Sequence, residues 1–226
     1  MPLNEHWTQH FRYYDKFQFA LPQYREMLDF HAKALRGTDR VLDSGAGTGN
    51  LTRRLLEEGH RVVAVDYNKS ALNVLRRKGR GFRSRLETVE VDLTGELPFP
   101  DNHFNGIASS IVIPFVPNVA EYLREHYRVL KPGGVFSLSV PLWRPRMDEY
   151  IASLMELGAR REKLLPKHNK EFSEILKTTR TNVAMLREHG LTERQLVCLL
   201  KQAGFRVRVP ARQPYSKYVL FVQCRK

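Results

Sequence analysis

The chain has 226 residues, 42% apolar and 27% charged, with 37 Lys and Arg against 24 Asp and Glu, for a formal net charge of +13. Length and balance suit one large globular domain, residues 1–226, and exclude a disordered or fibrous chain. A bilayer-spanning segment is excluded too, because the longest apolar stretch, 107–120, is short and broken by Pro114 and Pro117.

In chain order, residues 1–36 are rich in aromatics and predict one or two helices. No basic stretch followed by an apolar run opens them, so no leader is expected and a cytoplasmic location is the default. From 37 to 140, short β-branched runs alternate with helical spacing. RVLDS (40–44), RVVAVD (61–66), LETVEVD (86–92), FNGIASS (104–110) and GVFSLSV (134–140) predict buried strands. Between them, LTRRLLEEG, NKSALNVLRRKG and PNVAEYLREHYRV predict helices, the first two stopped by glycine and the third by Pro-Gly-Gly. Strands alternating with helices imply a parallel sheet with helices on both faces. Residues 141–190 predict additional helices forming a lid over one end of the sheet. In 191–226, a helix capped by Thr192 and stopped at Gly204 leads into FRVRVP and YVLFVQC, an antiparallel closing pair joined by ARQPYSK.

The glycine loop VLDSGAGTGN (41–50) carries the functional question. A dinucleotide fingerprint wants G-x-G-x-x-G, but Gly45, Gly47 and Gly49 give G-x-G-x-G with Asn50 following. Asp43 beside the first glycine would repel a pyrophosphate, whereas it suits an ammonium-bearing ligand. S-adenosylmethionine is such a ligand, with an α-amino group, a ribose, an adenine and no phosphate. Asp66 at the end of the second predicted strand can accept from both ribose hydroxyls. Asp92 at the end of the third, followed by Leu93, can take the adenine amino group. Three acids at successive strand ends line the crevice where open α/β sheets bind ligands.

These motifs, together with VVAVDYNKSAL, VDLTGELPFPDNHFNGI and YLREHYRVLKPGG in this order, resemble the class I, Rossmann-like S-adenosylmethionine-dependent methyltransferases. The likeness is greatest to the small-molecule branch that includes the ubiquinone and menaquinone biosynthesis enzymes. It implies an α/β fold with a seven-stranded, mostly parallel sheet and a reversed final hairpin. It also implies S-adenosyl-L-methionine as cofactor, with Asp43 and the backbone of Gly45–Gly49 on the methionine part, Asp66 on the ribose, and Asp92 with Leu93 on the adenine. Ser109 would offer its carbonyl to the ammonium group, and Tyr14 would close over the carboxylate. Ser44, Ala46, Gly47, Asn50, Tyr67, Asn68 and Ser110 complete the expected cofactor contacts, with Asn68 also able to cap a helix. The loop departs from the common DLGCGTG, and Asn105 stands where the family often has an acid.

Methyl transfer from a sulfonium is an in-line displacement that needs alignment first, and a base only for a weakly acidic nucleophile. No catalytic base is assigned. His6, His10 and His168 lie in the lid segments and read as surface histidines, and Cys198 and Cys224 read as buried thiols with no metal framework. The Asn/Asp-Pro-Pro-aromatic turn of enzymes that methylate base amines is replaced by ASSIVIPFV, which favours a small-molecule or lipid-like acceptor. Two basic stretches bear on the partner. Residues 76–85 hold six bases and no acid, and 201–226 hold seven and no acid; they suit an acidic or membrane-associated substrate. A nucleic-acid methyltransferase acting on tRNA or rRNA, or a non-catalytic cofactor-binding module, stands as the alternative. Acceptor specificity is expected in 1–36 and 141–190, with Trp143 and Tyr150 among its determinants.

Overall fold

A computed structural model describes residues 3–142, 147–211 and 219–226. Two helices, α1 (Leu3–Gln18) and α2 (Pro22–Ala34), lead into β1 (Arg40–Ser44), α3 (Asn50–Glu57), β2 (Arg61–Asp66), α4 (Lys69–Lys78), β3 (Leu86–Glu90) and β4 (Phe104–Ser110). Then come α5 (Val119–Val129), β5 (Leu130–Pro141), α6 (Met147–Arg161), α7 (Asn169–His189), α8 (Glu193–Gln202), β6 (Arg206–Ala211) and β7 (Val219–Arg225). The seven strands form one sheet in the order β3-β2-β1-β4-β5-β7-β6. All pairs are parallel except β5–β7 and β6–β7. The expected reversed hairpin is therefore present, although its connection, 212–218, lies outside the described residues.

Three strands coincide with their β-branched runs residue for residue. β3 stops two residues short of the expected end, because Asp92 turns back on itself, its Oδ1 accepting from the Thr94 amide at 2.9 Å. β5 starts earlier than expected, at Leu130, because the Pro-Gly-Gly segment stays in the sheet: the Gly133 amide donates to the Lys226 carbonyl. Helix starts follow local chemistry. Asn68 caps α4 by accepting from the Ala71 amide, and Thr192 with Gln195 forms a reciprocal capping box on α8.

The order of the sheet reverses between β1 and β4, so the loops at their carboxyl ends diverge and leave a crevice. On one face of the sheet α5 and α8 pack through Tyr122, Leu123, Leu196 and Leu200. On the other, Leu51, Leu55 and Leu56 of α3 share one apolar cluster with Phe17 of α1, Tyr24 and Met27 of α2, Met155 of α6 and Ile175 of α7. The helices outside the alternation are thus part of the same core. α7 lies along α1, and α6 comes close enough that a Cβ on Gly158 would fall 2.9 Å from the Ala20 carbonyl. Among the described residues no helix is long and apolar enough to cross a membrane. Cys224 is buried as expected, and burial pushes its thiol up to about 12; Cys198 is exposed on α8, contrary to the expectation of two core thiols.

Candidate functional site

A cavity of about 370 Å³ opens at the carboxyl ends of β1, β2 and β4. Its floor is the glycine loop. Gly45 (φ +76°) and Gly49 (φ +83°) are left-handed, and a Cβ on either would come within 2.4 Å of Val112 or Leu75. No other residue fits both demands.

The loop's amides decide what it can hold. Gly45 and Ala46 both donate to the Val65 carbonyl at 2.9 Å, Gly47 to Asp66 Oδ2 at 2.8 Å, and Gly49 to the Ala46 carbonyl at 2.9 Å. At the start of α3, the Thr52 amide and hydroxyl both go to Asp43, the latter at 2.6 Å. Phosphate-binding glycine loops work by turning such amides toward the ligand. Here the amides of Gly45, Ala46, Gly47 and Gly49 are spent inside the protein, and the Asp43 carboxyl stands at the helix start, where it would repel a pyrophosphate.

Asp43, Asp66 and Asp92 all line the cavity, whereas no Lys or Arg does among the described residues. Asp43 is 1% exposed, and burial pushes its carboxyl up to about 7, with Asp66 adding repulsion. Burial raises the Asp66 carboxyl too, against the pull of the amides of Gly47, Asn68 and Tyr67. In both carboxyls burial outweighs the donors present, and a cation beside Asp43 would offset that cost. Tyr67 lines the cavity beside them, and its hydroxyl is buried with no partner among the described residues. Asp92 is exposed and Leu93 buried; both line the cavity.

The remaining expected residues divide. Tyr14, Ala46, Asn50 and Ser110 line the cavity. Asn50 is also a clamp: its Nδ2 donates to Asp15 at 2.8 Å and to the Tyr24 hydroxyl at 2.9 Å, while its Oδ1 accepts from Lys78 at 2.7 Å. Ser44 and Ser109 do not reach the cavity through their side chains. Ser44 meets His126 Nε2 at 2.8 Å, and Tyr122 donates to Ser109 Oγ at 2.8 Å, a polar knot under β1 and β4. Asn68 is not in the lining; its side chain caps α4 and donates to Thr8 at 3.0 Å.

Sequence reasoning missed several contributors. Asp15 accepts from Thr48 at 2.7 Å and pairs with Lys78, fastening α1 to the glycine loop. Ile111 adopts a left-handed φ of +59°, rare for a β-branched residue, while lining the cavity. His6 and His10, expected at the surface, are buried under α7, and His10 lines the cavity. The opposite wall is apolar: Trp7, Phe11, Phe115, Met147, Val183 and Leu186. Trp7 stacks on Phe11 and meets Phe115 edge-on with centroids 4.8 Å apart. Trp143 lies outside the described residues; Tyr150 lines the rim.

Of the first basic stretch, Lys78 is committed to Asp15, and Arg85 donates to the Leu56 carbonyl at 2.9 Å. Arg76, Arg77, Arg80 and Arg83 line a separate depression that shares no residue with the cavity.

Comparison with known proteins agrees with this geometry. The methyltransferase domain family matches residues 42–138. The ubiquinone/menaquinone biosynthesis C-methyltransferase UbiE of Photorhabdus laumondii is 32% identical over 199 residues, covering 84% of this chain and 76% of that protein. UbiE of Vibrio campbellii is 35% identical, covering 75% of this chain, which spans 65% of that relative's length. Among solved structures, the Burkholderia thailandensis 1,6-didemethyltoxoflavin-N1-methyltransferase, with acceptor and S-adenosylhomocysteine bound, shares the fold (22% identity, TM-score 0.57, 89% and 77% coverage). The spent loop amides, the acid-lined floor and these relatives agree: the chain belongs to the class I S-adenosylmethionine-dependent methyltransferases, and S-adenosylmethionine is its cofactor.

Proposed function

We propose that the protein transfers the methyl group to a carbon of a small, largely apolar ring compound bearing a hydroxyl, held between α1, α7 and the strand ends. The observation that carries this reading is the cavity wall. Opposite the acids it is aromatic and aliphatic, and no Lys or Arg lines it among the described residues. An acidic or phosphorylated acceptor, which the basic stretches suggested, would find no counter-charge there. The UbiE relatives, named for C-methylation in quinone biosynthesis, supply the acceptor class by similarity.

In the same proposal Asp43 and the loop hold the methionine end of the cofactor, with Tyr14 and Ser110 at its edge. Asp66 already accepts the amides of Gly47, Asn68 and Tyr67, and its remaining acceptor capacity takes a ribose hydroxyl. Asp92 and Leu93 flank the adenine, and the unpartnered Tyr67 hydroxyl gains a polar neighbour when that end is filled. S-adenosylmethionine, when bound, would supply a methyl group on positively charged sulfur, which departs as a neutral thioether, and the ring carbon that takes the methyl group gives up its hydrogen as a proton to solvent. What the chain contributes is alignment and exclusion of water. The glycine loop fixes one reactant, the aromatic wall fixes the plane of the other, and α6 and α7 cover the meeting point. We assign 141–190 as the acceptor lid, and a cytoplasmic location goes with this reading. Turnover of a panel of phenols and quinols with labelled cofactor tests it. Carbon-methylated product supports the reading, and methylation confined to RNA refutes it.

A further inference from the structure

Two histidines on α1, His6 and His10, are buried. His10 is 3% exposed, its ring lines the cavity, and its Nδ1 lies 2.9 Å from Thr178 Oγ1 on α7. The Thr178 hydroxyl also reaches two carbonyls of its own helix, Ile175 at 3.0 Å and Glu174 at 3.4 Å, either of which can take its proton. A hydroxyl has one proton. With that proton turned into the helix, Thr178 accepts from His10 and Nδ1 carries the hydrogen. Nε2 is then an acceptor on a ring that lines the cavity. His6 is set the other way: its Nε2 faces Asn182 Oδ1 at 2.7 Å and therefore donates. Burial, with His6 nearby, pushes His10 down to about 3, so the ring stays neutral at ordinary pH.

We propose that His10 anchors the methyl acceptor: its Nε2 receives the hydrogen bond of a hydroxyl on the bound ring, and Thr178 positions it by fixing the tautomer. The inference rests on the proposed acceptor class, since the molecule must carry one donor on an apolar body. Trp7, 5.4 Å from the His10 ring centroid, and Tyr14, at 5.0 Å, hold the imidazole edge in place between aromatic neighbours. No bond is made or broken at His10. Its effect is selection, because a ring whose hydroxyl is replaced by an ether offers Nε2 no donor.

The test is ¹⁵N NMR on the full chain labelled at histidine and saturated with S-adenosylhomocysteine, using hydroquinone and 1,4-dimethoxybenzene as probes. His10 is expected in the Nδ1–H form, with Nε2 at the value of an unprotonated nitrogen. Thr178→Ser should keep that form, and Thr178→Val should lose it. Hydroquinone should move the Nε2 resonance upfield and the dimethyl ether should not. His10→Phe should raise KM for hydroquinone on the order of tenfold, with S-adenosylhomocysteine affinity within about twofold of the parent. A protonated Nε2 in the resting protein overturns the inference whatever the acceptor is. Parental KM in a folded His10→Phe variant overturns it while leaving the proposed function standing. Hydroquinone neither bound nor methylated, with the tautomer as stated, overturns the acceptor class and this role with it.

Discussion

Cofactor affinity should depend on pH through Asp43. Its carboxyl is buried against the glycine loop with only Thr52 to donate to it and Asp66 repelling it, so it stands near pH 7 instead of 3.8. A ligand bringing an ammonium group favours the ionised carboxylate. With a midpoint of about 7, the ionised fraction rises from about one eleventh at pH 6 to about ten elevenths at pH 8, so S-adenosylhomocysteine should bind roughly tenfold more tightly at the higher pH. Near pH 7, calorimetry in two buffers of different ionisation enthalpy should show release of about half a proton on binding. The same shift acts on stability. A folded-state value raised above the unfolded one makes a contribution that is fully present below about pH 4 and lost as pH rises through about 7. The ligand-free protein should therefore weaken over that window, and the cofactor should restore it. Asp43→Asn should flatten the affinity profile and weaken binding at pH 8. An unchanged dissociation constant from pH 6 to 8, with no proton release, would refute the reasoning.

Asp66→Ala should do more than lose ribose contacts, because the amides of Gly47 and Asn68 each lose a buried acceptor. At about 1–3 kcal/mol for each donor left unpaired, thermal melts should show a loss of about 2–6 kcal/mol, and calorimetry a tenfold or greater loss of S-adenosylhomocysteine affinity; parental values in both would contradict the ribose role. Tyr150→Ala, at the rim on α6, should lower kcat/KM for the acceptor several-fold with cofactor affinity moving less than about twofold; unchanged acceptor kinetics would remove α6 from the lid. Charge reversal at Arg76, Arg77 and Arg80 should leave cofactor binding and small-molecule turnover intact, since these residues share nothing with the cavity. A loss of turnover would tie the basic depression to catalysis.

Much of this site was legible in the sequence because its parts are local. β1, β2 and β4 are β-branched runs bounded by turn residues, and Asp43 and Asp66 follow from their place at strand ends. What was not legible depends on partners distant in the chain. His6 and His10 look like surface histidines until α7, some 170 positions later, lies along α1 and offers Thr178 and Asn182. Ser44 sits at the right strand end, yet period-two alternation turns its side chain toward Tyr122 and His126 on the far face. Asp15 was an unremarked acid beside Tyr14; only the fold brings Thr48, Asn50 and Lys78 to it. Cys198 reads as core from an apolar helix, but α8 packs through Leu196 and Leu200, and position 198 falls on the outer side.

The most direct measurement incubates the protein with S-adenosylmethionine deuterated at the methyl group, in the presence of hydroquinone and of total RNA, and follows the label by mass spectrometry. The geometry of the cavity predicts a hydroquinone product heavier by one deuterated methyl group on a ring carbon, with RNA unlabelled. Label appearing in RNA, with none in the quinol, would contradict a cavity built for a small apolar ring.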